Sequence, residues 1–314
     1  DRSLTIVNKI EELRNSMKIE GYDCIAVVPG PNLYYITSKR FHLSERPVVL
    51  FIEQDALTFI LPELESQKVS DIDVDMMGAL AAKQALKDSV IPDLIINASG
   101  VPKQTIPDTS VFIQKELGFK GVPSFSIHST CLSFLSALHI ASGLIESKQY
   151  TKILIVSSDR GTIGRNFNEP ESAALLGDAA AAIVLEPAIN SSMIDYKMET
   201  WSEGAELTQV KGGGTFRHPD NPKTIDKDHY FTMSGPQVYK LARKKVYFMI
   251  RKILKENHLR IEDIDFVIPH QASESAVKAY SKFGGFSENC VMNIISQYGN
   301  CVSASIPLAL SIAI

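Results

Sequence analysis

The run Ile153-Leu154-Ile155-Val156-Ser157-Ser158 is apolar almost throughout. A strand with one wet face alternates apolar and polar residues, and this one does not. It reads as a strand covered on both faces, which calls for helices above and below a sheet. Asp93-Leu94-Ile95-Ile96-Asn97 has the same character, and Ser124 to Ile127 and Ala179 to Leu185 read as further strands. Helical stretches fall between them, at Met76 to Leu86, Ser110 to Leu117 and Cys131 to about Gly143. This alternation, regular from residue 70, gives an α/β class.

The second half repeats the scheme. A long helix is expected from about Pro236 to Glu256, then a strand at Ile264 to Ile268, a helix at Ser273 to Phe283, a strand at Val291 to Ile294 and an apolar helix from Val302 to Ile314. The interval from the strand at Asp93 to the strand at Asp265 nearly equals the interval between the helices led by Cys131 and Cys301. Two such similar spacings imply an internal duplication, with the helix starts of two related halves converging on one cleft.

With 314 residues, 45% of them apolar, the chain can bury one large core or two medium ones. A formal charge of −4 gives no reason to expect nucleic acid or an anionic membrane as partner. No apolar run is long enough for a membrane span, and no signal peptide is expected. Cys24, Cys131, Cys290 and Cys301 are scattered, without zinc or disulfide-scaffold spacing, so a reducing, cytoplasmic setting is the default.

Residues 1–69 form a compositional unit of their own. Ile6, Ile10, Leu13 and Met17 have the spacing of an amphipathic helix with Gly21 past its end. Cys24 to Val28 reads as a short strand, Pro29 to Asn32 as a turn, and Pro47 to Ile52 with Leu57 to Leu61 as a hairpin. Leu13-Arg14 with Met17, Gly21-Tyr22-Asp23, Asn32-Leu33-Tyr34-Tyr35-Ile36-Thr37, Glu45-Arg46-Pro47 and Pro62-Glu63-Leu64-Glu65 resemble the non-catalytic N-terminal domain of creatinase and proline-specific peptidases. The resemblance runs from the start of the chain to about Glu65. The carboxylates and histidine of the metal-binding peptidase domain have no counterpart pattern in the rest of the chain.

Three segments carry the chemistry. Cys131 opens a helix of small and apolar residues, where unpaired N–H groups and the helix dipole favour a thiolate. A pKa below the ordinary thiol value is expected there, although such a cysteine taken alone is more often a packed core residue. His270 follows a strand in Ile268-Pro269-His270-Gln271-Ala272, where a hydrogen-bonded structural histidine is the plain alternative. Asn300, in Tyr298-Gly299-Asn300-Cys301, stands before the last helix, where an N-cap is the plain alternative. Taken jointly, a thiolate can receive an acyl group while an imidazole and an amide donate hydrogen bonds to a developing oxyanion.

Cys131, His270-Gln271-Ala272 and Gly299-Asn300, followed by Ser303-Ala304-Ser305-Ile306-Pro307, resemble the β-ketoacyl-ACP synthase III family of the thiolase superfamily. Glu169 to Asp178 and Met233 to Lys240 add matching pieces, and the resemblance covers about residues 70–314. It implies duplicated thiolase-like α-β-α-β-α layers, here with an unusual α/β N-terminal segment and, because the chain stops at Ile314 within a helix, an apparently truncated C-terminus. The implied division is 1–69 for the N-terminal segment, 70–187 for the half with the nucleophilic cysteine and 188–314 for the half with His270 and Asn300. The implied activity is a decarboxylating condensation of an acyl-CoA with malonyl-acyl carrier protein through an acyl-cysteine, with catalytic Cys131, His270 and Asn300. It implies CoA thioesters as substrates, no metal or redox cofactor, and a homodimer. The alternatives are a specialised acyltransferase of the same superfamily and a non-catalytic partner subunit.

Departures from the family pattern stand beside this. The family's early segment, with a tryptophan and an arginine that touch CoA, does not show in residues 1–69, and the single tryptophan is Trp201. Cys301 replaces a common threonine, and Ser275 a common arginine. Lys278 and Lys282 are candidate contacts for an acidic carrier, or simply a solvated helix face. Ile106, Phe134, Phe283 and Phe286 are candidate walls of an acyl tunnel. Gly212-Gly213-Gly214 lacks the residues of a phosphate loop. His128 and Asp178 read as structural, Asp159 and Arg160 as a local pair, and Arg165 as a candidate phosphate contact.

Overall fold

The computed structural model describes residues 6–39, 41, 48–54, 56–60, 73–86, 90–189 and 193–314. Glu45-Arg46-Pro47, Pro62-Glu63-Leu64-Glu65 and the boundary at residues 69 and 70 lie outside the described residues.

Helix α1 (Ile6–Glu20) buries Val7, Ile10 and Met17 on one side. Strands β1 (Cys24–Val27), β2 (Val49–Glu53) and β3 (Leu57–Ile60) form an antiparallel sheet with β2 in the middle. Buried Arg14 ties α1 to it, donating from Nε to Glu53 O at 2.8 Å and from Nη2 to Ala56 O at 2.9 Å. These bonds satisfy the carbonyls of the hairpin turn. Between β1 and β2 the structure differs from the sequence reading: Pro31 begins a helix, α2 (Pro31–Thr37), not a turn. Proline suits a first helical position, because its φ is already helical and it has no N–H to strand.

The main unit follows in the order α3 (Val74–Leu86), β4 (Leu94–Asn97), α4 (Thr109–Leu117), β5 (Ser124–Ser126), α5 (Ser133–Glu146), β6 (Ile153–Arg160), α6 (Pro170–Ala173) and β7 (Asp178–Leu185). Its sheet runs β5-β4-β6-β7, with β4 parallel to β5 and β6, and β7 antiparallel to β6. Every residue from Ile153 to Asp159 is buried, as the sequence predicts. Successive β6 side chains enter different cores. Leu154 and Val156 join Ile95, α3 and α4, whereas Ile153 and Ile155 join Phe134, Ala137 and Ala141 of α5. The sheet is thus the middle layer between helices.

The first of these cores also contains Val7, Ile10, Leu33, Leu50 and Ile52. The N-terminal segment therefore covers the α3 side of the main unit and shares its apolar interior.

Past β7 come β8 (Thr208–Gln209), β9 (Thr232–Met233), α7 (Gly235–Glu256), α8 (Glu274–Gly284), α9 (Ile295–Tyr298) and α10 (Ser305–Ala313). The strands expected at Ile264 to Ile268 and Val291 to Ile294 reduce to one parallel bridge, Val267 to Val291. The reason is exposure: Phe266 is 51% exposed, and 3₁₀ turns at Ile261–Asp263 and Glu288–Cys290 take up the flanking backbone. A second sheet matching the first, as a duplicated layering requires, is not found among the described residues. Instead Val277, Phe286 and Val291 form a small core of their own, and Ile306 of α10 joins the α5 core.

Because Ile10 is fully buried in the shared core, Ile10→Ala should destabilise the whole chain. A loss of about 2–5 kcal/mol is expected, read as a lower urea midpoint with an unchanged slope. An unchanged midpoint would mean that the N-terminal segment packs independently.

Candidate active site

Cys131 does not stand in the first turn of an α-helix. It lies in a 3₁₀ turn, Thr130–Leu132, that precedes α5. Thr130 enters this turn with φ 50°, in the left-handed region. Ser133 Oγ holds the turn, accepting the Ser129 N–H at 2.9 Å and donating to Thr130 O at 2.7 Å.

The same construction recurs before α10. Val302 has φ 51°, Val302–Ala304 form a 3₁₀ turn, and Ser305 Oγ accepts the Cys301 N–H at 3.0 Å. The interval from Thr130 to Val302 equals that from Asp93 to Asp265. The pairing of Cys131 with Cys301 read from sequence is thereby corrected: Cys131 corresponds to Ser303, and Cys301 to Ser129.

The two turns meet. Gly100, after β4, lies between them; a Cβ there would stand 2.4 Å from Val302 Cγ1 and 3.2 Å from Thr130 O. Ser303 Oγ accepts the Phe134 N–H at 3.2 Å and donates to Ala98 O at 2.6 Å. Asp159, at the end of β6 and fully buried, accepts four backbone N–H groups. Gly100 and Val101 donate to Oδ1 at 2.8 and 3.0 Å, and Ser303 and Ala304 to Oδ2 at 3.0 and 3.2 Å.

Asn300 is fixed through its backbone beside Leu176. Its N–H donates to Leu175 O at 2.6 Å, and its carbonyl accepts the Gly177 N–H at 2.9 Å. Its Oδ1 accepts the Val302 N–H at 3.0 Å, so the side chain caps the turn. Gly299 permits the close approach: it has φ 72°, and a Cβ would lie 2.8 Å from Leu175 O.

His270 follows the Val267 bridge. Buried Gln271 fastens its loop, donating from Nε2 to Pro269 O at 3.0 Å and Met292 O at 3.1 Å and accepting the Ile294 N–H at 3.0 Å. Ile268 packs into the core that holds Phe134 of α5 and Ile306 of α10. The segments carrying Cys131, Asn300 and His270 are thus anchored to one interior.

Burial sets the electrostatics. It pushes the Cys131 thiol up to about 11, with the Asp159 charge adding to the rise. The acidic thiol expected from a helix start is therefore corrected: desolvation of this half-buried residue and the Asp159 charge both disfavour a thiolate. Burial, with Asp178 and Asp159, pushes Cys301 up to about 12, and its Sγ donates to Tyr298 O at 3.2 Å. Cys301 is fully buried and fills space. Burial also holds His270 down at about 4, so its imidazole is neutral near pH 7. His270 Nδ1 is buried with no hydrogen-bond partner among the described residues. A proton there would strand a donor, so the tautomer carrying hydrogen on Nε2 is favoured. Asp159 is driven up to about 7 by burial, against the downward pull of its four N–H donors.

The remaining candidates disperse. Asp159 and Arg160 are not a local pair, since Arg160 meets Asp73 at 3.8 Å. His128 Nε2 lies 3.0 Å from Gly100 O, and Asp178 accepts the N–H and hydroxyl of Thr162. Arg165 Nη2 donates to Leu176 O at 2.7 Å. Lys278 is paired with Glu274 at 2.6 Å. Phe134 and Phe286 belong to different cores, and Ile106 is 81% exposed. Sequence reasoning missed the part played by Asp159 and Ser303. A carboxylate ending a doubly buried strand was the available signal.

Two outcomes follow from these shifts. With the His270 pKa near 4 in the fold and 6.5 as its reference, only the unfolded chain takes up this proton as pH falls between them. His270 thus makes stability fall with decreasing pH in that window, by up to about 1.4 kcal/mol per unit. Urea unfolding of His270→Gln should show a shallower decline there than the parent; parallel declines would refute a buried neutral His270. For Cys131, thiol alkylation should accelerate only above the ordinary thiol range, and Cys131→Ser should remove that component. A fast component at neutral pH that vanishes in Cys131→Ser would show the thiol to be acidic after all.

Comparison with known proteins gives the family. Residues 125–202 match the 3-oxoacyl-[acyl-carrier-protein (ACP)] synthase III family, and residues 254–314 match its C-terminal description. Residues 9–101 match the creatinase/prolidase N-terminal domain, extending beyond Glu65, where the resemblance read from sequence stops. The chain is 31% identical over 241 residues to the β-ketoacyl-[acyl-carrier-protein] synthase III of Chlamydia muridarum, covering 74% of this chain and 73% of that one. It is also 31% identical over 223 residues to the enzyme of that name from Chlorobium phaeobacteroides, covering 70% and 68%. Among solved structures, the Aquifex aeolicus 3-oxoacyl-[acyl-carrier-protein] synthase III superposes with TM-score 0.69 at 24% identity, covering 93% of this chain and 89% of that one. The priming β-ketosynthase of the R1128 polyketide pathway superposes with TM-score 0.68 at 21% identity, covering 93% and 86%. The fold is thus thiolase-like, and the chain belongs to the β-ketoacyl-[acyl-carrier-protein] synthase III family of condensing enzymes, with a creatinase/prolidase-like segment at its front.

Proposed function

We propose that the protein condenses an acyl-CoA with malonyl-acyl carrier protein, with Cys131, His270 and Asn300 around one thioester position. The observation that carries this reading is the packing of the Cys131 turn against the turn that follows Asn300, at Gly100. The His270 loop is rooted in the same core. The recurrence of one turn at Thr130 and Val302 supports two related halves, 70–187 and 188–314, behind a separate segment 1–69.

Cys131 Sγ attacks the acyl carbonyl, and the thiol proton leaves on the departing CoA sulfur. Malonyl thioester then loses carbon dioxide, and negative charge gathers on its thioester oxygen. His270, neutral and carrying its hydrogen on Nε2, and Asn300 Nδ2 donate to that oxygen. Asn300 Nδ2 makes no hydrogen bond among the described residues and remains available. The carbanion attacks the acyl-cysteine, forming the new carbon–carbon bond and breaking the carbon–sulfur bond; Cys131 leaves as a thiolate and takes a proton from water. CoA is a substrate in this scheme, and the setting is cytoplasmic. A homodimer is part of the same proposal.

The two steps separate experimentally. Asn300→Ala should still load acyl groups onto Cys131, whereas carbon dioxide release from malonyl carrier protein should fall about a hundredfold or more. Loss of both activities together in a folded variant would remove the division of roles, and normal carbon dioxide release would remove Asn300 from the site. Loading of the parent without carbon dioxide release would favour a specialised acyltransferase.

A further inference from the structure

The Asp159 carboxylate has no side-chain partner of opposite charge among its hydrogen bonds. All four of its acceptor positions face backbone N–H groups, two from the loop after β4 and two from the turn that opens α10. Four is the full complement of an ionised carboxylate. A side chain serving only to fill this space need not carry charge, and a buried charge is costly unless its hydrogen bonds are complete. Both loops it ties together lead to the condensing groups. Gly100 lies against Thr130, the residue before Cys131, and Ser303 follows closely on Asn300. The groups that feel its charge are the Cys131 and Cys301 thiols, and Asp178 adds its own charge at Cys301. The next residue, Arg160, turns away to Asp73.

We infer that Asp159 is a positioning residue for the condensation: through four backbone hydrogen bonds its carboxylate joins the Cys131 side of the site to the Asn300 side. This rests on the proposed acyl transfer through Cys131. The Asp159 charge is also felt at the Cys131 sulfur, after the larger effect of desolvation. Its bonds keep Ser303 and Ala304 in place, and through them the capped Asn300.

Asp159→Asn nearly preserves shape but replaces one acceptor oxygen with an amide that cannot accept. The alkylation profile of Cys131, corrected by Cys131→Ser, should move to lower pH in Asp159→Asn, with about a threefold or greater rise in rate at pH 8. Carbon dioxide release from malonyl carrier protein should fall more than about tenfold while acyl loading persists. A lower melting temperature with an unmoved alkylation profile would reduce Asp159 to a structural role and overturn the inference. Should the variant fail to fold, the parent decides. The amide NMR signals of Gly100, Val101, Ser303 and Ala304 should titrate with one common midpoint, and the alkylation profile should bend at that same midpoint. Independent or absent titration of the four would also overturn it. Failure of acyl-CoA to load the parent enzyme would instead strike the proposed function, leaving the alkylation and NMR results to stand or fall separately.

Discussion

The structure depends on β6 being buried on both faces. Ile153 and Ile155 point into one core, Leu154 and Val156 into the other, and no side of the strand is left for water. This obliges a helical layer above and below, and it explains the place of the N-terminal segment. Val7, Ile10, Leu50 and Ile52 complete the interior over α3 and α4, sealing the face opposite α5. On the other face α5 packs over β6 and α10 over the adjacent β7, and their starting turns lie side by side. Asp159 is the next-to-last residue of the strand, and the apolar constraint passes there into a polar one: a carboxylate that holds two loops by their backbone.

The candidate site is built from neutral, half-buried groups. Burial raises the Cys131 thiol and lowers the His270 imidazole, so both rest uncharged near pH 7. Low polarity penalises charge in the resting enzyme and strengthens any hydrogen bond aimed at charge formed during reaction. A neutral imidazole and an amide are donors suited to an oxyanion that exists only in passing.

Much of this was legible in the residues. The doubly buried strands followed from the lack of polar alternation at Ile153 to Ser158, and the helices from apolar spacing and glycine stops. The joint presence of Cys131, His270 and Asn300 is the ground for proposing acyl transfer. What escaped had physical causes. The run at Ile264 to Ile268 has the composition of a strand, but strand formation needs neighbours, and only Val291 pairs with it. Pro31 starts a helix because the chain around it packs as one; its immediate sequence suits a turn equally well. The acidity of Cys131 was misjudged from its place before a helix, because desolvation and Asp159 depend on tertiary packing. Cys301 drew attention as a cysteine, although by the geometry of the two turns Ser303 is the counterpart of Cys131.

The claim at the centre of this account is that Cys131 carries the acyl group. Incubating the full chain with a panel of acyl-CoAs, then measuring intact mass and mapping the modified peptide, tests it most directly. The account predicts one added acyl group per chain, located on Cys131 and absent in Cys131→Ala. An acyl group on Cys301 or Cys290, or no acylation of the folded protein by any thioester of the panel, would contradict it.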